Sequence, residues 1–408
     1  MRVCILVTTT YTHDSRVRRI AEALAIRGYD VHVVCCFSSQ LPAQANEMLG
    51  PVHVHRVARE TRDFLALALS RLRRWRDRSP ASADGPARPG QELSPRALSI
   101  LRSLLVPIVV LHRGRQQRRM ARALVRLSPA IVHANDPDTL PAAASAIEAG
   151  ATLVYDAHEL ASHRTNTSRW ERWLDLRAER RYVPRAHALI TVSPGIAEIL
   201  EARHLVPTTV IRSVPLAPHD WTPPFDLRER VGIGTDDQLV LYLGLRAPGR
   251  GLTQLVQAVA RLPGSQLVML GSEVRGMDQE LRAIAEEMGI ETRVHLLDPV
   301  PSDVLLTMAA QADVGVTLLE DISLNHRLAL PNKLFEYLAA GVPVVASDLP
   351  EIRRVLEDCR GGIVCDPSEP SSIAAGLQAA VDRPDKARVP TAQEELEKLE
   401  ACYRTLSP

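Results

Sequence analysis

Aromatic side chains are scarce in this chain, at 4% of 408 residues, so any core must be filled by aliphatic groups. Leu, Ala and Val are plentiful but fall in short apolar runs, which suits buried parallel strands covered by helices. An excess of charge of one sign is missing too. The formal net charge is +1, which implies no general attraction to polyanions, and no nucleic-acid partner is expected. The six cysteines, Cys4, Cys35, Cys36, Cys359, Cys365 and Cys402, show no C-x-x-C or zinc-type spacing. Most sit in or beside apolar strand-like runs, where reduced thiols act as small hydrophobes, and a reducing cytosol is the expected setting. Long apolar runs are absent as well. The longest candidate, residues 104–111, is far too short to span a bilayer. The first strand-like run, residues 2–9, leads directly into charged residues, unlike a signal peptide. A soluble, cytoplasmic protein is expected.

What is present is a repeated alternation of strand and helix patterns. In the first half the strand-like runs are CILVTT (from Cys4), VHVVCC (from Val31), VHVHRV (from Val52), AIVHAN (from Ala130), TLVYDA (from Thr152) and ALITVS (from Ala188). A helix pattern runs from about Ser15 to Arg27, with Val17, Ile20 and Leu24 on one face and Gly28 at its end. A second series begins near Gln238 with LVLYLG, QLVMLG, RVHLLD, VGVTLL, VPVVAS and GIVCD. Such alternation predicts parallel, doubly wound sheets. The length exceeds one ordinary core, so two domains are expected, residues 1–218 and 219–390. The proline-rich stretch 215–224 marks the junction. Residues 391–408 read as a final helix beyond the second sheet, placed to pack back on the first domain.

An insertion at about residues 60–117 breaks the pattern. Residues 78–95 are rich in Pro, Ser, Ala and Gly and read as a mobile loop. Arg71, Arg73, Arg74 and Arg76 precede it, and Arg113, Arg115, Arg118, Arg119 and Arg122 follow, with an apolar stretch at 104–110 between. Two readings stand: a helical insertion with solvated arginines, or a face that docks peripherally on an anionic membrane.

The chemistry concentrates in LPNKLFEYLAAGVPVVASDLPE, residues 330–351. Pro331 suits the first turn of a helix, Gly341 its end, and Pro343 blocks continuation before the strand VVAS. Glu336 then falls early in a helix that starts at the carboxyl edge of a sheet, where ligands bind and helix amides hold phosphates. A carboxylate there can accept from ribose hydroxyls, the amides of Asn332, Lys333 and Leu334 face a diphosphate, and the Lys333 ammonium adds a cation. Equally, Glu336 can merely complement the helix dipole.

This stretch resembles the family-4 retaining glycosyltransferases (group 1 glycosyltransferases) of the GT-B fold, which carry a Glu-x7-Glu motif and a G-x-P-V-V-A-S strand. The resemblance implies two Rossmann-like domains facing a central cleft, with a nucleotide-sugar donor on the second. It assigns the donor ribose to Glu336. The first Glu of the motif is absent, since Leu328 stands eight residues earlier, with Asn325 or Glu320 as candidate replacements. In LYLGLRAPGRG, residues 241–251, relatives place two cations on the diphosphate. Here Gly244 and Arg250 match, while Leu245 replaces the other cation, and Lys333 can compensate. In YDAHE, residues 155–159, His158 matches the strand-end histidine that contacts the donor sugar. His158, Arg250 and Lys333 are therefore the expected catalytic groups. Asn135, Asp136 and Asp138 in HANDPDTL, together with Thr10, His13, Asp14 and Arg16 in TTTYTHDSRVRR, are expected on the acceptor side, with helix capping as their alternative duty.

The family implies retention of configuration without metal, and no cofactor is expected. UDP is the default donor nucleotide. A lipid-linked or cell-envelope glycan, or a small molecule, is the expected acceptor. Rival readings are a nucleotide-sugar epimerase of the same fold and a non-catalytic nucleotide-sugar-binding scaffold, the latter favoured by Leu328 and Leu245.

Overall fold

The computed structural model describes residues 1–12, 14–37, 46–57, 95–164, 167–217, 220–274, 276–381 and 391–406. His13, and residues 60–94 of the insertion, lie outside these. The first sheet contains β1 (Arg2–Leu6), β2 (Asp30–Cys36), β3 (Asn46–Leu49), β4 (Val52–Val57), β5 (Ile131–Asn135), β6 (Thr152–Ala157), β7 (Ala188–Thr191) and β8 (Thr208–Val210). Their order is β3-β4-β2-β1-β5-β6-β7-β8. The second contains β9 (Gln238–Leu243), β10 (Ser265–Leu270), β11 (Val294–Leu297), β12 (Val314–Thr317), β13 (Val344–Ser347) and β14 (Gly362–Cys365), in the order β11-β10-β9-β12-β13-β14. These are the two doubly wound α/β units that the alternation predicts.

Two strands escaped the sequence pattern. β3 pairs antiparallel with β4 at the sheet border, so the first sheet is mixed rather than wholly parallel. It is a four-residue hairpin arm turned by Gly50, whose φ of +58° lies in the left-handed region. β8 has three residues, all only half-buried. Neither segment is long or apolar enough to carry a signal of its own.

The helix Ser15–Ile26 begins at Asp14, whose carboxylate accepts from the Val17 amide at 3.2 Å, and stops before Gly28 at φ +87°. Pro95–Leu127 is one long helix whose Met120 and Leu124 enter the first domain's core. No described helix is long and apolar enough to cross a membrane. The helix Ala392–Arg404, which follows the second domain in sequence, buries Leu399, Cys402 and Tyr403 in the core of the first.

In the second domain the helix Asn332–Ala339 is held close to its sheet. The buried Tyr337 hydroxyl donates to Leu241 O at 2.9 Å and accepts from Leu243 N at 2.8 Å. The same ring lies over Gly315, where a Cβ would come within 2.3 Å of it, so β12 needs a glycine there. This clamp sets the helix bearing Lys333 and Glu336 against the carboxyl end of β9, beside the point where strand order reverses between β9 and β12.

Candidate active site in the interdomain cleft

Lys333 and Glu336 are both buried, at 9% and 5% exposure. The Lys333 ammonium sits 3.5 Å from the centroid of the Tyr242 ring and against Gly244, whose φ of +114° only glycine adopts readily. Burial pushes the Lys333 pKa well below its ordinary value, neighbouring Arg250 pushes the same way, and Glu336 opposes them. Burial raises the Glu336 carboxyl in turn, against Arg19 and Lys333. Neither Lys333, Arg250 nor Glu336 forms an ion pair among the described residues. The Arg250 guanidinium and the buried Lys333 amine, whose protonation an anion would favour, form an anion site, and a partner-free buried carboxylate beside them can take hydroxyl donors.

The amides at the start of this helix are partly engaged. Leu334 N already donates to Pro331 O at 3.0 Å, leaving those of Asn332 and Lys333 for a ligand. The Asn332 side chain reaches across to Ser15 Oγ at 3.3 Å. Arg246, adjacent to the substituted Leu245, is engaged elsewhere and does not stand in for the missing cation. Its guanidinium grips Asp278 at 2.5 and 2.8 Å and donates to the carbonyls of Met269, Gly271 and Leu297.

On the facing domain, His158 stands just beyond β6. Its Nε2 lies 3.2 Å from Asn135 Oδ1 and 3.6 Å from Asp156, and its Nδ1 lies 3.5 Å from Asp136. Burial works against an imidazolium, but Asp136 and Asp156 outweigh it and raise the pKa to about 9. His158 is therefore a cation at neutral pH, a hydrogen-bond donor and not a free base. Asp136, at φ +61° beyond β5, also accepts from the His158 amide at 3.3 Å and pairs with Arg164 at 3.3 Å. Asp138 accepts from Thr8 Oγ1 at 2.7 Å.

Other expected acceptor groups make contacts within the protein. Arg16 is fully engaged, bidentate on Asp156 at 2.9 and 3.1 Å and donating to Ile211 O at 2.6 Å, so it braces the site from beneath. Burial would raise the Asp156 carboxyl, yet Arg16 and His158 hold it well below the usual carboxylate range. Asp14 caps its helix and also accepts from Thr9 Oγ1 at 3.3 Å. Thr10 Oγ1 accepts from Thr12 at 3.4 Å.

Asn325 is not free to replace the missing glutamate. Its Oδ1 accepts from Leu160 N at 2.8 Å, and its Nδ2 donates to Glu159 at 3.1 Å and Leu160 O at 3.0 Å, tying the domains together. Glu320 Oε1 accepts from Gly251 N at 3.2 Å. Leu328, in the glutamate's place, packs against Gly195, and its carbonyl accepts from Ser193 Oγ at 2.7 Å. Sequence reasoning missed Tyr242, Asp156, Arg164 and Arg19. Asp156 carried one signal, since it lies two residues before His158 and so on the same strand face.

Two family matches cover most of the chain. The family described as "Glycosyl transferase 4-like domain" matches residues 13–217, and that described as "Glycosyl transferases group 1" matches residues 237–383. A D-inositol 3-phosphate glycosyltransferase of Xylanimonas cellulosilytica is 33% identical over 185 residues, covering 44% of this chain and 43% of that protein. An uncharacterised glycosyltransferase of Methanocaldococcus jannaschii is 27% identical over 162 residues, covering 38% and 39%. The chain thus spans less than half the length of these relatives. Sucrose-phosphate synthase from Thermosynechococcus elongatus superposes with a TM-score of 0.64 at 17% identity, covering 100% of this chain and 96% of that one. Anabaena HepE, solved in complex with UDP and glucose, gives 0.63 at 16%, covering 100% and 95%. Those two likenesses establish the shared fold. With both domains matched and the two sheets facing one cleft, the chain belongs to the group 1, family-4-like glycosyltransferases of the GT-B fold.

Proposed function

We propose that this protein transfers a sugar, with retention and without metal, from a nucleoside diphosphate sugar to an acceptor hydroxyl. One observation carries the reading: buried, partner-free Glu336 stands beside Lys333 and Arg250 at the carboxyl edge of the second sheet. The diphosphate lies against Arg250, Lys333 and the first helix amides, and the ribose hydroxyls donate to Glu336. UDP is the favoured nucleotide, since HepE was solved with UDP. The acceptor is a small polar molecule or a glycan. The Xylanimonas relative named for D-inositol 3-phosphate supports a phosphorylated polyol over a lipid-linked acceptor.

The state of His158 limits the mechanism. As an imidazolium held by Asp136 and Asp156, it donates to a donor-sugar hydroxyl and orients the ring. It is not the base that deprotonates the acceptor. As the glycosidic bond lengthens, charge moves onto the diphosphate, where Arg250 and Lys333 stabilise it. The departing phosphate oxygen, on the same face as the incoming hydroxyl, takes the acceptor proton. Closure of the domains excludes water, which would otherwise compete as acceptor.

Calorimetric titration with UDP, GDP, ADP and TDP, with EDTA throughout, tests the reading. Selective binding of one nucleotide is expected, weakened by roughly 1.5–3 kcal/mol in Glu336→Ala through lost bonds to a charged group. Equal affinity in wild type and variant sinks the ribose assignment. Binding without turnover on any phosphorylated polyol or glycan acceptor favours a scaffold.

A further inference from the structure

At the amino end of β2, opposite the cleft edge, lies a histidine cluster that sugar transfer does not use. His32 on β2 stands opposite His53 on β4, and strand alternation puts His32, His53 and His55 on one face. The buried His32 ring stacks on His53 with centroids 4.6 Å apart and planes 11° from parallel. Its Nδ1 lies 2.8 Å from His55 Nε2, and His55 Nδ1 lies 2.7 Å from Asn46 Oδ1. Its Nε2 lies 3.0 Å from Asp30 Oδ1, while Asp30 Oδ2 accepts from Arg2 Nε at 2.8 Å.

Proton accounting along this chain leaves a gap. The amide oxygen of Asn46 only accepts, so His55 Nδ1 carries the proton. His55 Nε2 must then accept, from His32 Nδ1–H. In a neutral His32 the Nε2 lone pair is left facing a carboxylate oxygen at 3.0 Å. Two acceptors that close repel unless a cation lies between them. A proton would resolve this at the cost of a buried imidazolium. A metal ion resolves it and also recruits exposed His53, which makes no hydrogen bond among the described residues.

We propose that Asp30, His32 and His53 bind a divalent transition metal, zinc being the best match to one carboxylate and two imidazoles. Their donor atoms lie within 4.8 Å of one another. Tetrahedral zinc, with bonds of about 2.0–2.1 Å, requires ligand separations of about 3.3 Å; His32 Nε2 and Asp30 Oδ1 stand at 3.0 Å and need only open slightly, while rotation of exposed His53 brings in the third ligand. The outer partners already stand in place: His55 on the second nitrogen of His32, and Arg2 on the second oxygen of Asp30. A strand's length separates this cluster from Thr8, Asn135 and His158, so the metal cross-links β2 to β4 and has no part in sugar transfer.

Tag-free, full-length protein, stripped with EDTA and dialysed, is titrated with Zn²⁺ and with Co²⁺. One equivalent of each is expected to bind, with the visible bands of tetrahedral Co²⁺ and a rise in Tm. His53→Ala, a surface change, weakens binding about ten-fold or more and abolishes the Tm rise, and Asp30→Asn does the same. Circular dichroism and metal-free Tm of His53→Ala should match wild type, which separates loss of ligand from loss of fold. Absence of stoichiometric binding, or equal affinity in wild type and His53→Ala, overturns the site and leaves a proton as the cation on His32.

Discussion

The charge states of individual residues decide how this cleft receives a ligand. Lys333 is held toward its neutral form by burial and by Arg250. An arriving diphosphate reverses that balance, because a multiply charged anion favours the ammonium. Nucleotide binding should therefore take up protons, seen as a binding enthalpy that tracks the ionisation enthalpy of the buffer. Lys333→Met should lower affinity and remove that dependence; an enthalpy equal in all buffers for wild type would refute the assigned state of Lys333. His158 behaves oppositely, its pKa raised to about 9 by Asp136 and Asp156 against the effect of burial. A raised folded-state pKa contributes stability that is fully present below the unfolded value, about 6.5, and is lost as pH rises through about 9. That contribution is on the order of 3 kcal/mol. In wild type both stability and turnover should fall between neutrality and that pH. His158→Ala should depress kcat, leave nucleotide affinity nearly intact, and lack the alkaline limb in a pH–stability profile. A variant with wild-type kcat would relegate the imidazolium to structure.

Among the elements, the helix Ala392–Arg404 joins the end of the second domain to the core of the first. It starts with a reciprocal cap between Thr391 and Glu394 and lays Leu399, Cys402 and Tyr403 into the first domain's core. The Tyr403 hydroxyl lies 2.7 Å from His133 Nδ1, and His133 Nε2 lies 3.5 Å from Asp156, the residue that braces His158. Tyr403→Ala should cost roughly 3–5 kcal/mol, as expected for emptying a buried aromatic site, read as a lower urea midpoint. A loss under 1 kcal/mol would mean that the helix merely rests on the surface. Much of this architecture was legible in the sequence. Six strands of each sheet, the helix from Ser15 and the helix carrying Glu336 follow from short apolar runs and from Pro and Gly punctuation. β3 and β8 were not, because three or four half-exposed residues have no periodicity to read.

For the whole molecule, the two domains meet through polar contacts of modest strength and through Leu324 and Leu328 of the second, which pack against the core of the first. Asn325 makes three hydrogen bonds across the cleft to Glu159 and Leu160, Ser193 reaches Leu328, and the Gly195 amide donates to Glu351 at 3.0 Å. With each such bond worth about 1 kcal/mol net, Asn325→Ala should weaken the closed arrangement by roughly 1–3 kcal/mol. The expected readouts are a larger radius of gyration in solution scattering without nucleotide and a lower kcat, with little change in Tm. An unchanged radius and kcat would show that other contacts hold the domains.

The sequence by itself determined that there are two doubly wound units, where the carboxyl edges of their sheets lie, and that Glu336, Lys333 and Arg250 stand at one of them. Those features are local: a strand, a turn and the first residues of a helix are specified by neighbours a few positions away. Tertiary structure alone decided that Arg16 braces Asp156 instead of meeting substrate, that Arg246 turns to Asp278, and that Asn325 ties the domains together. It also gathered Asp30, His32 and His53. These outcomes depend on partners that lie from about twenty to more than a hundred positions away in the chain, and on burial that sets each group's charge. Neither is encoded in the spacing of residues along the chain.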